Sequence, residues 1–379
     1  MELRICHQLD SVPARDWNGL SGTEQPFLRH EFLAALERHG AVAPNKGWLP
    51  HHLLLFDDRG LAAAAPAYLK SHSWGEFVFD WAWADAYERI GLRYYPKLIA
   101  AVPFSPVTGP RVLSRPDVDV ETAVRELGMG AQRLCADRGY SSMHWLFPPE
   151  AQCRRLVEAG YELRLGCQFH WQDRGFGDMD GFLAALSAKK RKNIRREREA
   201  VRSAGVRFRW LHGGEIAPEH WRWFVRFYRN TFREYGNIPP MNLDFFQEIG
   251  ATLGRQVLLV LAERGDEPLA AALFLRSDNT LYGRYWGCGT SLPGLHFETC
   301  YYQGIEYCLR HGLRRFEPGA QGEHKIARGF LPTPTYSAHW LAEPHLREAI
   351  AEFLRREAQA ARQYMSELTR HSPYRQAKT

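Results

Sequence analysis

Glu323, His324, Lys325 and Arg328 place a carboxylate, an imidazole, an amine and a guanidinium within six residues. Such a set can move a proton and hold an anion at one place. It follows Arg315-Phe316-Glu317-Pro318-Gly319-Ala320-Gln321-Gly322, which reads as a short strand ending in a glycine-rich loop. The loop after a strand is a natural ligand site in a mixed sheet. A capped helix start is the plainer alternative. Glu317, Gln321, Glu323, His324, Lys325 and Arg328 are therefore candidate site residues.

A second glycine-bearing turn is Gly283-Arg284-Tyr285-Trp286-Gly287-Cys288-Gly289, at the end of a strand predicted over 280–286. The helix predicted over 295–311 follows it. Backbone N–H groups near Gly287 and Gly289 are candidates to hold an oxyanion. Arg284, Tyr285, Trp286 and His296 are candidates to hold or protonate a substrate. Glu298, Tyr302 and Glu306 are spaced by four, so they share a helix face. Glu298 and Tyr302 join the catalytic candidates as base and proton donor. His296 and Cys300 are also four apart, as metal ligands can be. Two ligands do not make a site, and no metal is expected.

The third signal is Lys189-Lys190-Arg191-Lys192-Asn193-Ile194-Arg195-Arg196-Glu197-Arg198, with seven cations in ten residues. Lys190, Arg191 and Arg195 are candidates to hold phosphates of a cofactor, tRNA or nucleotide-linked acceptor. A solvated helix balanced by neighbouring acids is the alternative. In the first half, Trp81, Trp83, Asp85, Tyr87, Tyr94 and Tyr95 precede a proline-rich run from Pro103 to Pro110. Trp81, Asp85 and Tyr95 would wall a groove for an extended substrate, or else this region is rigid core. There is no Walker A loop, no G-x-G-x-x-G after a first strand, no G-x-S-x-G and no H-E-x-x-H. Nucleotide hydrolysis, hydride transfer and serine hydrolysis lose support accordingly.

The elements that must position these residues follow one scheme twice: two paired strands, a third strand, a helix, a short strand, a helix and a last strand. In the first half, strands are predicted over 51–56, 61–69, 97–104, 142–147 and 161–171. Helices are predicted over 120–138 and 150–159. In the second half, helices are predicted over 181–203, 219–235, 243–253, 295–311 and 323–330. Strands are predicted there over 206–210, 257–264, 268–276, 280–286, 313–317 and 335–341. A long helix over 345–368 ends the pattern. Locally paired strands alternating with helices indicate a mixed α/β fold. The boundary falls near residues 173–180, giving domains 1–174 and 175–379.

The chain has 379 residues, 45% hydrophobic and 24% charged, with 12 Trp and a formal charge of +6. These values fit two globular domains and a mildly basic surface suited to an anionic partner. The first residues lack the basic and apolar pattern of a signal peptide, and no apolar run reaches membrane-spanning length. A cytoplasmic protein is expected. Seven cysteines without a C-x-x-C pair argue against a disulfide framework.

Several long stretches resemble the FemAB-like family of the GNAT superfamily. They are His72-Ser73-Trp74-Gly75-Glu76-Phe77-Val78-Phe79-Asp80-Trp81, Tyr94-Tyr95-Pro96-Lys97-Leu98, the run from Val102 to Arg111, Tyr285-Trp286-Gly287-Cys288, His296-Phe297-Glu298 and Phe316-Glu317-Pro318-Gly319-Ala320-Gln321-Gly322-Glu323-His324-Lys325. The resemblance implies two tandem GNAT-like domains, each with a mostly antiparallel sheet and flanking helices, plus the C-terminal helix. It also implies transfer of an acyl or aminoacyl group to a small-molecule or peptide amine. Acyl-CoA or aminoacyl-tRNA would be the co-substrate, tRNA thereby a partner, and no cofactor would be tightly bound. Two features depart from related patterns. Fem transferases carry Phe-Lys-x-Gly-Phe where this chain reads Ile326-Ala327-Arg328-Gly329-Phe330. The Arg/Gln-x-x-Gly-x-Gly/Ala loop of acetyl-CoA enzymes is not found in residues 288–296. A catalytically silent protein that binds a nucleotide-linked cell-wall fragment or RNA is the alternative.

Overall fold

The structure is a computed structural model that describes residues 1–320 and 322–375. The chain forms two compact units. The first comprises Met1–Cys167 and Pro334–Tyr364, and the second Gln168–Thr333 together with the segment from Met365 onward. A purely sequential division at residue 174 misses that the strand and most of the helix near the C-terminus belong with the first unit. The physical reason is pairing and packing. Ser337–Leu341 is antiparallel to Ser142–Leu146. Ile350 and Leu354 pack with Trp83, Tyr87 and Tyr94.

In the first unit, Glu2–Cys6, His52–Asp57, Gly60–Ala65 and Leu113–Ser114 form an antiparallel sheet in that order. Trp48–Pro50, Ala67–Lys70, Lys97–Ala100, Ser142–Leu146 and the end of Leu331–Leu341 form another. Lys97–Ala100 and Ser142–Leu146 are parallel neighbours. The helix Val120–Arg138 starts where the Asp119 side chain caps Thr122 N–H and stops at Gly139, whose φ is 69°. It buries Val124, Leu127, Ala131 and Cys135 at three- and four-residue spacing against Leu53, Leu55, Met143 and Trp145. The helix Trp81–Arg89 was not expected.

In the second unit the strand order is Arg207–His212, Val257–Arg264, Glu267–Arg276, Thr280–Cys288, Arg315–Glu317 and the end of Glu162–Gln172. All neighbours are antiparallel except Thr280–Cys288 with Arg315–Glu317. The helix Pro218–Glu234 lies so close to this sheet that a Cβ on Gly287 would stand 2.1 Å from Phe227 O. The helix expected over 181–203 is two helices, Met179–Ala185 and Ala188–Ser203. Leu186 breaks them. It is extended, fully buried, and bridged to Tyr374. The basic helix Ala188–Ser203 buries only Ile194 and Val201, seven residues apart on one narrow seam. Its cations are left for other surfaces.

Candidate active site

The parallel strands Thr280–Cys288 and Arg315–Glu317 pair over three residues only, ending at Tyr282 and Glu317. Beyond that point the first strand continues to Cys288 while the other leaves the sheet at Pro318. On the other side, Leu273 faces Tyr285 and Phe274 faces Gly283, so Arg284 is the extra residue of a β-bulge. The divergence and the bulge open a cavity of about 250 Å³ lined by Gly283, Arg284, Tyr285, Trp286, His296, Cys300, Tyr301 and Pro318, among others.

The helix that closes the cavity contains a π-helical turn, Glu298–Tyr302, between Leu295–Phe297 and Gln303–His311. A π turn adds one residue to the repeat, so positions five apart come onto one face. His296 and Tyr301 both line the cavity, with ring centroids 5.4 Å apart. Burial, with weaker contributions from His324, Arg328 and Lys325, pushes the His296 pKa down to about 4. Its imidazole is therefore neutral near pH 7. The Tyr301 hydroxyl lies 2.9 Å from His324 Nε2. Partial burial and the cations Lys325 and Arg328 lower the His324 pKa as well. Lys325 is buried and donates to Gly319 O at 2.8 Å, and burial brings its pKa down to about 8.

Glu298 faces the other way. Arg198 binds both its oxygens from Nε at 3.1 and 3.2 Å and one from Nη2 at 3.1 Å. Gln303 Nε2 donates to it at 2.8 Å. Arg198 also reaches Glu306 at 2.7 Å. Tyr302 is fully buried and donates to Glu197, whose other oxygen accepts from Arg328 at 2.8 Å. The common face of Glu298, Tyr302 and Glu306 therefore exists, but it meets the basic helix. Glu298 and Tyr302 do not line the cavity.

The remaining candidates fall as follows. Glu317 is buried and pairs with Arg315 at 3.2 Å, while Glu323 is exposed. Gln321 lies outside the described residues. Gly289 N–H already donates to Leu269 O at 2.8 Å, and Phe227 packs against both Gly287 and Gly289. The bulged backbone at Gly283–Trp286 lines the cavity instead. Arg195 lines a separate groove, whereas Lys190 and Arg191 do not. In the first unit, Trp81 and Asp85 are exposed, and the Tyr95 hydroxyl bonds Ser73 at 2.9 Å.

Sequence reasoning missed Tyr301 and Cys300 as cavity residues. Four-residue spacing assigns Tyr301 to the core, where it is indeed buried with Ile305 and Phe330, and its ring also reaches the cavity beside His296. It also missed a buried polar cluster in the first unit. Lys97 Nζ donates to Glu76 at 2.7 Å, to Ser73 at 2.8 Å and to Asp80. Tyr94 donates to Asp80 at 2.6 Å and lies 3.1 Å from His144 Nε2, and His144 Nδ1 is 2.8 Å from His339 Nδ1. Burial, opposed by Lys97, pushes the Glu76 pKa up to about 7. The segment that supplies Ser73, Glu76 and Asp80 turns Trp74, Phe77, Phe79 and Trp81 outward.

Among the described residues, no helix is long and apolar enough to cross a membrane. Comparison with curated proteins gives no significant match. Solved structures share the fold at low identity. FemX matches with a TM-score of 0.53 and 11% identity, over 93% of this chain and 100% of that one. The L-PGS of Bacillus licheniformis matches with a TM-score of 0.53 and 10% identity, over 86% and 96%. The C-terminal domain of a putative lysylphosphatidylglycerol synthetase from Agrobacterium fabrum matches with 0.52 and 11%, over 86% and 91%. The mixed α/β architecture with a long C-terminal helix is thus the one the resemblance implied. The sequence profile of the FemAB-like family, described as peptidoglycan biosynthesis/recognition, matches residues 8–376. The chain belongs to the FemAB-like family.

Proposed function

We propose that the protein transfers an activated acyl or aminoacyl group to an amine, and that the cavity between the diverging strands is where the transfer occurs. The observation that carries this reading is the meeting of a bulged strand backbone with a neutral imidazole and a tyrosine in one small cavity. The donor's carbonyl oxygen would face the backbone of Gly283–Trp286, which is suited to stabilise an oxyanion. The amine nitrogen attacks the carbonyl carbon and the C–N bond forms. The ester C–O or thioester C–S bond then breaks. The proton lost by the nitrogen equals the one gained by the leaving oxygen or sulfur. His296 or the Tyr301–His324 pair accepts the first, and Tyr285 supplies the second. Acyl-CoA and aminoacyl-tRNA are the donors in this reading, and a small molecule or peptide supplies the amine. The basic helix, with Lys190, Arg191 and Arg195, would hold donor or acceptor phosphates.

The test is product formation, followed by mass spectrometry, with acetyl-CoA or charged tRNA and a panel of amines including a nucleotide-linked muropeptide. The expected result is transfer that falls about a hundredfold in H324A and Y301F, in the range of lost acid–base catalysis. Unchanged turnover in H324A, Y301F and H296N alike removes this assignment. The locked state of Glu298, which leaves no free carboxylate base on that helix, favours a second reading. In it the protein binds a nucleotide-linked cell-wall fragment or RNA without turnover, and acceptor binding without product marks that case.

A further inference from the structure

A groove of about 770 Å³ runs beside the basic helix, on the face of the π-turn helix opposite His296. Its volume lies within the range of small-molecule sites. Glu298 and Gln303 belong to its wall, and Leu183 and Phe208 are part of its apolar lining. Arg195, Arg198 and Arg202 are spaced by three and four on the helix, so they form one stripe along the groove, and Arg196 lies beside it.

These four guanidiniums are not equivalent. Arg198 is committed to Glu298 and Glu306. Among the described residues, Arg202 is held only by the exposed Glu199 on its own helix, at 2.7 Å. Arg195 is 4.0 Å from the exposed Asp180. No carboxylate is paired with Arg196 among the described residues. Exposed pairs of this kind contribute little and exchange readily for a better anion. A phosphate offers guanidinium groups bidentate geometry that these carboxylates do not use. The fixed Arg198–Glu298 pair supplies a rigid back wall, while the other three arginines remain available at the rim.

We propose that this groove is a binding site for a phosphate-bearing ligand with an apolar or ring-shaped body. Arg195, Arg196 and Arg202 hold the phosphate, and Phe208 and Leu183 hold the body. The site gives a defined pocket to the reading of the basic helix made above, and it needs no transfer reaction. A nucleotide and a phospholipid share this chemistry, and the choice between them is left to the experiment.

The experiment is isothermal titration of the full chain, without any acyl donor, with pyrophosphate, ADP and a short-chain phosphatidic acid below its micelle concentration. The expected result is saturable binding of ADP or the lipid, weakened about tenfold in R196E/R202E and weakened again by added salt. F208A should weaken the ligand with a body and leave pyrophosphate unchanged. The tighter of ADP and the lipid identifies the source. No saturable binding of any probe overturns the proposal. Unaltered affinity in R196E/R202E does so too, provided its near-UV circular dichroism matches the parent. Should that variant not fold, R196Q, at an exposed position, must lower the affinity on its own. Loss of transfer with retained ADP or lipid binding would count against the proposed reaction and not against this site.

Discussion

Glu298 accepts a hydrogen bond from Gln303, five residues further along, at 2.8 Å. That interval belongs to a π-helical turn, and it sorts this helix into two working faces. His296 and Tyr301 turn to the cavity, while Glu298 and Gln303 turn to the arginine-lined groove. The same residue types at strict four-residue spacing would not have been divided this way.

The first prediction concerns Glu298 itself. In E298Q, the partly buried Arg198 loses most of its charge-assisted bonding. The expected cost is about 2 kcal/mol, read from urea unfolding. Transfer should fall far less than in H324A, because Glu298 lines the groove and not the cavity. A variant with parental stability would show that the Arg198 contact is idle.

Acid should act through His296. Its folded pKa of about 4 lies below its ordinary value of 6.5. Below pH 6.5 the unfolded chain takes up a proton that the folded chain refuses. The stability tied to this residue is therefore full above that pH and is lost as pH falls toward 4. Comparing H296N with the parent at pH 7 and pH 5 should show a smaller pH-dependent loss in the variant. Equal losses would mean the imidazole titrates normally.

Lys97 carries the largest expected single-site cost. In K97M, Glu76 and Asp80 stay buried without their cation, at a cost of about 3–5 kcal/mol. K97M/E76Q/D80N should recover much of it, because the uncompensated charges are gone. Thermal unfolding of the two variants is the measurement, and an unrecovered triple variant would assign the loss to packing.

G287A tests the contact between helix and sheet. A methyl group there meets Phe227 O at 2.1 Å and Phe227 C at 2.2 Å, which are backbone atoms that cannot rotate aside. A loss of about 1–3 kcal/mol is expected, with lower activity through displacement of the adjacent cavity strand. An unchanged midpoint in denaturant would contradict that packing.

Much of the framework was legible because its signals are local. Asp119 and Gly139 bracket a helix in the sequence as they do in space. The paired strands Val257–Arg264 and Glu267–Arg276 follow from two apolar runs around Gly265. The site was legible in part. His296, Arg284, Tyr285 and Trp286 were named and line one cavity, and His324 contacts Tyr301 on its wall. The rest depends on non-local geometry. Arg198 selects Glu298 from a hundred residues away, and Lys97 selects Glu76 across twenty-one. No periodicity carries such choices. The break at Leu186 was hidden because a leucine fits helix and strand equally well, and a distant bridge to Tyr374 decides it.

The segment around Trp74 and Glu76 inverts the common rule of apolar inside and polar outside. Its anchors are charges, and its rings project into solvent. Hydropathy scoring would misjudge both sets, favouring leucine at Glu76 and treating the rings as fixed. Exchanging Trp74, Phe77 or Phe79 disturbs little packing, whereas Glu76, Asp80 and Lys97 depend on one another. The loop can thus acquire new contacts by drift at its tip without renegotiating its foundation.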